Sequence, residues 1–384
     1  MKTDLIFYEN SYIFDFEAEV LSCDKTDKGF AVVLNKTAFF PEGGGQKGDT
    51  GVINGVSVTD TQLKEGVVTH YCKSAVELGK VKCSVNKEQR FARMQIHSGE
   101  HIVSGIAHSL YGCENVGFHM DDETAVIDFD RELTDEELDM VESKANEAVW
   151  KNYAITAYFP STEELKMLDY RSKLELTEDV RIVNIENVDV CACCAPHVRS
   201  TGEVGVIKII DRLRHRGGIR FTIKCGKSAY EDYRGKHNYC AETGAALSVK
   251  PEAIPARVNK LLEDADALRR EYNSFKMSVA CASAEQMVKT SSDAYFVTDS
   301  FDSDMMRELV NMTVDGVRIS AVFSGTDENG YSYIAASKTM DSRDISSLVN
   351  KALNGRGGGR DGMVQGKAAC TKEMIFEFFT EIQE

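Results

Sequence analysis

An apolar heptad pattern in residues 254–282 constrains the fold of this chain more than any other feature of its sequence. Its members recur at alternating steps of four and three, and we call them the heptad seam: Ile254, Val258, Leu261, Ala265, Leu268, Tyr272, Phe275, Val279 and Ala282. This period places them along one face of an α-helix that begins near Pro255. The face can pack on its own domain, pair in a coiled-coil hairpin, or form the seam of a homodimer through residues 254–282.

The remaining sequence predicts an α+β fold in several domains. The chain has 384 residues, 42% of them hydrophobic and 28% charged, which is typical of globular proteins with buried cores. Residues 1–90 alternate short apolar segments with Gly, Asn and Asp turns, a pattern that predicts a glycine-rich, β-barrel-like unit. We assign residues 91–237 to an α+β domain, 238–290 to the heptad helix, and 291–384 to an α/β domain containing a glycine-rich loop, GRGGGRDGMVQGKA.

The sequence gives no sign of a membrane or secreted location. No apolar run approaches the roughly 18 to 20 residues that cross a bilayer, and the N-terminal segment carries acids where a signal peptide is apolar. We therefore expect a soluble, cytoplasmic protein. Eleven cysteines in a reducing compartment should be free, buried or metal-bound instead of paired in disulfides.

Charge is unevenly distributed along the chain. The net charge is −16, and residues 121–147 hold twelve acids against two bases. The overlapping stretch LTDEELDMVESKANEAVW predicts an amphipathic, acidic helix, for which Thr134 is the expected N-cap and Glu137 its capping-box partner. Residues 199–236 reverse the balance, with ten Lys and Arg. This basic segment is either a solvated face or a contact for phosphate groups. Within it, VGVIKIIDRLRHRGGIRFTI predicts two strands joined by a short, glycine-closed loop.

Two histidines in a predicted helix are candidate metal ligands. His97 and His101 are four residues apart, which places both imidazoles on one helical face about 6 Å apart along the axis. Glu100 precedes the second histidine, so the pattern differs from the His-Glu-x-x-His of metalloproteases. As a helical neighbour of the site, Glu100 is a candidate for proton transfer or for orienting a ligand, and the alternative is an ordinary salt-bridged carboxylate.

The segment DVCACCAPHVRSTG supplies further ligands. Cys193 and His197, separated by three residues, would complete a tetrahedral zinc shell with the two histidines. Cys191 and Cys194 are rival ligands, because alternation along a strand would put Cys191 and Cys193 on one face. The alternative is that these cysteines only line a core.

Four motifs occur together in one order: TAFFPEGGGQKGDTG at residues 37–51, HSGEH at 97–101, CCAPHVRSTGEVG at 193–205, and GIRFTIKCGKSAYEDYR at 218–234. Together they resemble the alanyl-tRNA editing proteins of the AlaX type, relatives of the editing domain of alanyl-tRNA synthetase. The heptad helix and GGGRDGMVQGKA resemble the C-terminal domain of the synthetase and of long AlaX forms. In relatives two glycines usually follow the cysteine, where this chain has Cys194 and Ala195.

The resemblance implies a hydrolase with one Zn²⁺ per chain that removes a wrong amino acid, chiefly serine and also glycine, from mischarged alanine tRNA. The implied metal ligands are His97, His101, Cys193 and His197. Because four protein ligands close the zinc shell, catalysis would need one of them to be displaced or the coordination to expand, and Cys193 is our candidate. Gln46 would act at the aminoacyl end. In the same loop, Gly43, Gly44 and Gly45 are expected to approach the ester through backbone N–H groups, and the alternative is a tight barrel turn. Thr37, just upstream of the loop, is expected to contact a serine hydroxyl of the substrate through its own hydroxyl, and the alternative is an ordinary strand threonine.

A charged tRNA also needs cationic contacts beyond its tip. Arg212, Arg214, Arg216 and Arg220 of the basic segment are the expected contacts for the acceptor stem. A rival hypothesis is a non-catalytic, zinc-stabilised protein that binds tRNA, because closed four-ligand zinc sites are often structural.

Overall fold

The structure, a computed structural model, describes residues 2–172, 180–288 and 292–382. The chain divides into two compact units, Met1–Glu242 and Thr243–Glu384. Helices and several sheets occur in it, which confirms the predicted mixed α and β class. The predicted boundaries at residues 90 and 237 stay predictions, and the one at 290 lies outside the described residues. No helix in the described ranges has the length and apolar character that a bilayer crossing requires.

The N-terminal part of the first unit is a closed β-barrel. Its strands are β1 (Asp4–Leu5), β2 (Asp15–Thr26), β3 (Gly29–Leu34), β4 (Lys36–Thr37), β5 (Gly51–Ile53), β6 (Val56–Lys64), β7 (Val67–Cys72) and β8 (Gly79–Val85). Six of them close in the order β2-β3-β7-β6-β5-β8, all antiparallel, and β1 pairs with β4. Side chains alternate between the faces of a strand, so every second residue of β7 is buried.

A long helix, α1 (Lys87–Tyr111), follows the barrel. It begins after Asn86, whose side chain accepts a hydrogen bond from the backbone N–H of Gln89, and it ends at Gly112 in the left-handed conformation. All side chains of residues 93–105 are buried, so the middle of the helix has no solvent face. Its polar residues there must therefore find partners inside the protein.

The rest of the first unit surrounds this helix with two sheets and further helices. Its elements are β9 (Asn115–Met120), β10 (Ala125–Phe129), α2 (Asp135–Lys151), β11 (Ile155–Tyr158), α3 (Thr162–Met167), β12 (Ile182–Ile185), β13 (Asp189–Ala192), β14 (Ile207–His215), β15 (Gly218–Cys225) and α4 (Gly226–Leu247), the last of which continues into the second unit. The sheets have the orders β14-β15-β10-β9 and β11-β12-β13.

Two local predictions in this region are confirmed. Thr134 caps α2 and forms the full capping box with Glu137. The basic segment contains the hairpin β14–β15, closed by a two-residue turn at Arg216 and Gly217, which have φ angles of 48° and 85°. Positive φ at both positions is the geometry that suits a tight hairpin.

The acidic and basic segments are not separated in space, because strands β10 and β15 are neighbours. Five ion pairs join them: Glu123 with Lys224, Asp128 with Arg220, Glu132 with Arg214, Asp135 with Arg212, and Glu142 with Lys208. Much of the positive charge of the basic segment is therefore compensated within the fold.

The second unit contains α5 (Ile254–Val288) and a five-stranded sheet with three helices. The sheet consists of β16 (Ala294–Thr298), β17 (Ser320–Thr326), β18 (Gly330–Ala336), β19 (Gly355–Arg360) and β20 (Met363–Ala368), in the order β16-β17-β18-β20-β19. The helices are α6 (Ser303–Thr313), α7 (Ser342–Ala352) and α8 (Lys372–Glu381). Helix α5 confirms the helix predicted from the heptad seam, and its pairing in a coiled coil or dimer stays a prediction.

The predicted glycine-rich loop is wrong, since residues 355–368 form the hairpin β19–β20. Glycine permits this pairing because a Cβ on Gly359 would lie 1.8 Å from the carbonyl oxygen of Met363, and one on Gly357 would lie 2.4 Å from that of Gln365. The glycines thus provide room between closely packed strands, and the turn is confined to Asp361 and Gly362.

Candidate metal centre

Four side chains from distant parts of the first unit converge on one point. The donor atoms of His97, His101, Cys193 and His197 all lie within 4.8 Å of one another. Cys193 Sγ is 3.6 Å from His97 Nε2 and 3.4 Å from His197 Nε2. The structure therefore brings together the four residues that the sequence analysis proposed as ligands.

Two structural elements hold these donors. Helix α1 presents His97 and His101 one turn apart from its buried middle. Strand β13 leads directly into Cys193, and the chain then continues to His197. Arg181 fixes this segment, because its Nη1 donates to the carbonyl oxygens of Cys193, at 3.0 Å, and of Ala195, at 2.8 Å. A buried cation thus takes the place of regular secondary structure in positioning the cysteine.

Each of the three histidines has a polar partner at Nδ1, the ring nitrogen opposite Nε2. His97 Nδ1 lies 3.0 Å from Gln46 Oε1, His101 Nδ1 lies 3.3 Å from Asp189 Oδ2, and His197 Nδ1 lies 3.0 Å from Ser98 Oγ. A partner at Nδ1 fixes the ring orientation and favours coordination through Nε2. All three rings are thereby oriented with Nε2 as the available ligand atom.

The electrostatics favour a thiolate at this point. Burial alone would raise the pKa of the Cys193 thiol, but His97, His197 and a hydrogen bond with His101 hold that pKa well below its usual value. Burial also lowers the pKa of His197 to about 3, so its imidazole is neutral at pH 7. A thiolate and a neutral imidazole are the ligand forms that a divalent metal requires.

The three neighbouring cysteines have different surroundings. Cys191 is buried, and its sulfur lies within 4.8 Å of donor atoms of His101 and Asp189. It does not belong to the cluster that His97 and His197 form with Cys193. Cys194 is exposed, and its Sγ lies 3.5 Å from where a Cβ on Gly44 would stand. Only Cys193, among these three, places its sulfur within 4.8 Å of all three histidine donors.

The donor set has the dimensions of a tetrahedral zinc site. With Zn–N of about 2.0–2.1 Å and Zn–S of about 2.3 Å, a tetrahedral angle puts nitrogen and sulfur about 3.6 Å apart. The separations of 3.6 and 3.4 Å from Cys193 Sγ to two imidazole nitrogens agree with this value. Three imidazoles and one thiolate are also ligands that zinc accepts readily.

A cavity of about 490 Å³ opens beside the cluster, and His97, His101, Cys193 and Glu100 line it. Glu100 is buried, and its Oε1 accepts hydrogen bonds from Ser104 Oγ, at 2.6 Å, and from the Asn115 side chain. Its Oε2 lies 3.9 Å from His101 Nε2. The structure thus places a carboxylate at the wall of the cavity, next to the ligand atoms.

The GGGQ segment forms a tight turn at the same cavity. Gly43 and Gln46 exchange two backbone hydrogen bonds of 3.0 Å, and Gly44 and Gly45 between them have φ angles of 58° and 82° and line the cavity. Gln46 is buried, with Oε1 beside His97. Within the described part of the chain, its Nε2 is a buried donor without a hydrogen-bond acceptor.

The glycine turn is attached to the histidine-bearing helix by two arginines. Arg90 of α1, which is fully buried, donates through Nε to Asp49 Oδ2 at 2.8 Å and through Nη2 to the Ala38 carbonyl at 2.6 Å. Arg93 donates to the carbonyl oxygen of Gly48 at 2.9 Å. Since α1 also carries His97, the turn and the first histidine are fixed to the same rigid element.

Thr37, predicted to contact the substrate, lies away from the cavity. Thr37 is fully buried in the barrel, its hydroxyl is 2.8 Å from His70 Nε2, and it is not among the residues that line the cavity. The expected contact of Thr37 with a serine hydroxyl is therefore not supported by this arrangement. The reason is that its side chain points toward the barrel interior, where His70 needs a partner.

The arginines predicted to contact tRNA are largely engaged with acids. Arg220 donates to both oxygens of Asp128, at 2.6 and 2.7 Å, and Arg212 and Arg214 pair with Asp135 and Glu132. Arg216 is exposed at the hairpin turn. None of these four arginines lines the cavity, so their contact with tRNA stays a prediction.

Several residues that position the site were not predicted from the sequence. Asp189 and Ser98 are partners of ligand histidines, and Arg181 holds the cysteine loop. Ser98 follows His97 directly. Asp189 and Cys191 are alternate residues of strand β13, so the alternation of side chains could have indicated Asp189. Arg181 has no comparable signal, because its role depends on the path of the loop after Cys193.

Comparisons with known proteins agree with this organisation. Residues 180–221 match the family "Threonyl and Alanyl tRNA synthetase second additional domain", and residues 4–89 match "tRNA synthetases class II (A)". The alanyl-tRNA editing protein AlaX-L of Pyrococcus horikoshii is 28% identical, and the alignment covers 98% of this chain and 97% of that protein. The predicted resemblance to the AlaX-type editing proteins is confirmed over nearly the whole chain.

Alanine–tRNA ligases are also similar, but this chain spans less than half of their length. The ligase of Pyrococcus abyssi is 28% identical, and the alignment covers 95% of this chain and 42% of the ligase. The ligase of Halobacterium salinarum is 30% identical, and the alignment covers 85% of this chain and 38% of the ligase. Among solved structures, the C-Ala domain of the Aquifex aeolicus alanyl-tRNA synthetase aligns with 24% of this chain and 86% of its own length, at 19% identity and a TM-score of 0.21.

Proposed function

We propose that this protein is a zinc-dependent editing hydrolase that deacylates mischarged alanine tRNA, chiefly carrying serine and also glycine. One observation carries the proposal: three histidines and a cysteine converge at the wall of a cavity, with each histidine oriented by its own polar partner. The similarity to AlaX-L over nearly the full length of both chains supports alanyl-tRNA editing as the activity.

Zinc is the metal that the donor set fits best, held by His97, His101, Cys193 and His197. When bound there, zinc would act as a Lewis acid at the ester and favour an ionised nucleophile. The neutral His197 imidazole and the thiolate form of Cys193 suit this ion. The surrounding partners then serve to keep the four ligands in one geometry.

The residues of the cavity have distinct roles in the proposed reaction. Water attacks the carbonyl carbon of the ester, and Glu100, at the wall beside the ligand atoms, accepts its proton. Glu100 then returns this proton to the ribose oxygen as the bond between that oxygen and the carbonyl carbon breaks. Gly44 and Gly45 bring backbone N–H groups to the same wall, where they can donate to the carbonyl oxygen. The buried Gln46 Nε2 offers a further donor beside His97.

The decisive experiment is a deacylation time course with alanine tRNA charged with serine, glycine or alanine. We expect rapid loss of serine, slower loss of glycine and retention of alanine. Cys193→Ala should abolish the reaction at equal zinc content, while Cys194→Ala, at the neighbouring exposed thiol, should retain most of it. Equal hydrolysis of all three tRNAs, or full activity of Cys193→Ala, would contradict the proposal.

A non-catalytic, zinc-stabilised tRNA-binding protein is the second candidate. The observation in its favour is that four protein donors fill a tetrahedral shell, as in structural zinc sites. In that case no charged tRNA would lose its amino acid, and zinc would be needed for folding instead of for rate.

Two further features of binding belong to the proposal. Arg216, exposed at the hairpin turn, is the member of the predicted arginine set best suited to contact the acceptor stem, with Arg212, Arg214 and Arg220 contributing where their acidic partners release them. A homodimer through residues 254–282 would cover the heptad seam, in which Leu268 is 67% and Phe275 is 65% exposed.

A further inference from the structure

Phe159 is an exposed aromatic residue at the wall of the cavity, and the proposed hydrolysis gives it no role. Its side chain is 51% exposed, although it lies directly after strand β11. A phenylalanine left this open does not contribute to a core. It instead presents an apolar face to whatever enters the cavity.

The Phe159 ring contacts a second ring, and that ring in turn contacts a cation. Tyr8 meets it edge to face, with ring centroids 5.3 Å apart and planes at 82°. The guanidinium of Arg181 lies 5.2 Å from the centre of the Tyr8 ring. Arg181 also donates to the carbonyl of Cys193 at 3.0 Å, so the aromatic pair is tied to a proposed metal ligand.

The backbone around Phe159 is restricted as well. A residue before proline is confined to extended conformations, and Pro160 follows Phe159 directly. Ser161 then caps helix α3 in a full capping box with Glu164. The ring is therefore held at the cavity by a fixed chain path and not by a long flexible loop.

The cavity is much larger than the amino acid that the proposed function places in it. Serine and glycine have small side chains that need no aromatic surface, whereas the cavity measures about 490 Å³ and also includes Val116, which is 63% exposed, and Phe118. In an aminoacyl-tRNA only a ribose separates the ester from the terminal nucleobase. A base is flat and aromatic, and proteins bind unpaired bases by stacking them on aromatic side chains.

We infer that Phe159, supported by Tyr8 and Arg181, is a stacking platform for the nucleobase of the nucleotide that carries the ester. The inference rests on the proposed function and extends it, because it assigns the part of the cavity that the amino acid does not use. It makes Phe159 a binding residue for the adenine of the tRNA terminus.

Adenosine 5′-monophosphate is the probe, because it carries the base, the ribose and the 5′-phosphate without the aminoacyl ester. We expect binding to the zinc-loaded full chain, measured by ligand-observed NMR, to weaken about tenfold in Phe159→Ala, which corresponds to about 1.4 kcal/mol. Phe159→Trp should retain binding. Tyr158→Ala is the matched control, since Tyr158 is 41% exposed, precedes Phe159 and is not among the cavity-lining residues.

Equal affinity of the wild-type protein and Phe159→Ala for the nucleotide would overturn the inference, and so would equal weakening by Tyr158→Ala. Circular dichroism checks whether Phe159→Ala is folded. If it is unfolded, Phe159→Leu, which keeps apolar bulk without a ring, replaces it, and an affinity for the nucleotide equal to that of the wild-type protein would overturn the inference. Tight binding of a fatty acid in place of the nucleotide would also overturn it. Failure of the proposed function is separate, because it would appear as absent deacylation while nucleotide binding persists.

Discussion

His101 Nδ1 lies 3.3 Å from Asp189 Oδ2, in a carboxylate–histidine pair that is buried on both sides. Arg171 donates to the two oxygens of the same carboxylate, each at 2.8 Å. Burial alone would raise the pKa of Asp189, but His101 and Arg171 keep that pKa below its usual value. The carboxylate is therefore ionised and fixed, and it holds the imidazole with Nε2 toward Cys193.

Asp189→Asn should weaken zinc binding by about tenfold to a hundredfold, because the amide accepts the His101 proton less well and holds the ring less firmly. Zinc affinity is measured by competition with a chromogenic chelator. Asp128→Asn is the control, since this carboxylate is also paired with an arginine but lies outside the cavity wall. Unchanged zinc affinity in Asp189→Asn would mean that the pair does not position a ligand.

Removal of zinc by a chelator should abolish deacylation and leave most of the helical signal in circular dichroism. The reason is that the core around α1 contains large buried apolar residues such as Phe129 and Phe221, which pack without the metal. Return of zinc should restore the rate. Loss of the helical signal on chelation would instead indicate a structural metal and favour the non-catalytic candidate.

Gly45→Ala should lower the deacylation rate at least tenfold and cost about 1–3 kcal/mol of stability. Gly45 has a φ of 82°, and a Cβ there would lie 2.7 Å from Phe118 Cδ1 and 2.9 Å from the Phe118 carbonyl oxygen. Gly55→Ala is a matched control, because Gly55 has a φ of 83° with nothing within 4 Å of the added Cβ. Because φ is matched, the difference in unfolding free energy between the two variants measures the steric clash with Phe118. Equal losses of stability in both variants would show that this clash does not occur.

The barrel should lose stability as the pH falls from about 6.5 to about 4. Burial lowers the pKa of His70 from 6.5 to about 4, so in this range the unfolded chain binds a proton that the folded state excludes. More protons on the unfolded state mean that stability rises with pH, and the full difference is about 3 kcal/mol. Denaturant unfolding of the wild-type protein and His70→Gln tests this, and an equal pH slope in both would show that His70 does not contribute.

The heptad seam predicts a homodimer of twice the 42.6 kDa chain mass in sedimentation at micromolar concentration. Leu268→Glu or Phe275→Glu should shift the protein to the monomer, because each puts a charge into the apolar contact. Arg270→Glu changes the charge on the opposite face of α5 and should leave the dimer intact. A wild-type protein that sediments only at 42.6 kDa would exclude the dimer.

The features that could be predicted from the sequence are those encoded locally. Hydrogen bonds between near neighbours and the periodicity of apolar residues specify the capping box at Thr134, the hairpin turn at Arg216, and helix α5. The four-residue spacing of His97 and His101 indicates their common face for the same reason. These features depend on a few adjacent residues, and so they can be predicted without knowledge of the rest of the fold.

Only the tertiary structure decided which residues complete the site. His97 and Cys193 are 96 positions apart, and they meet because strand β13 and its following loop pack against α1. The same packing selects Cys193 over Cys191 and Cys194, supplies Asp189 and Ser98 as partners, and turns Thr37 toward His70. Such contacts follow from how the buried surfaces of the whole unit fit together, a property that no short stretch of sequence contains.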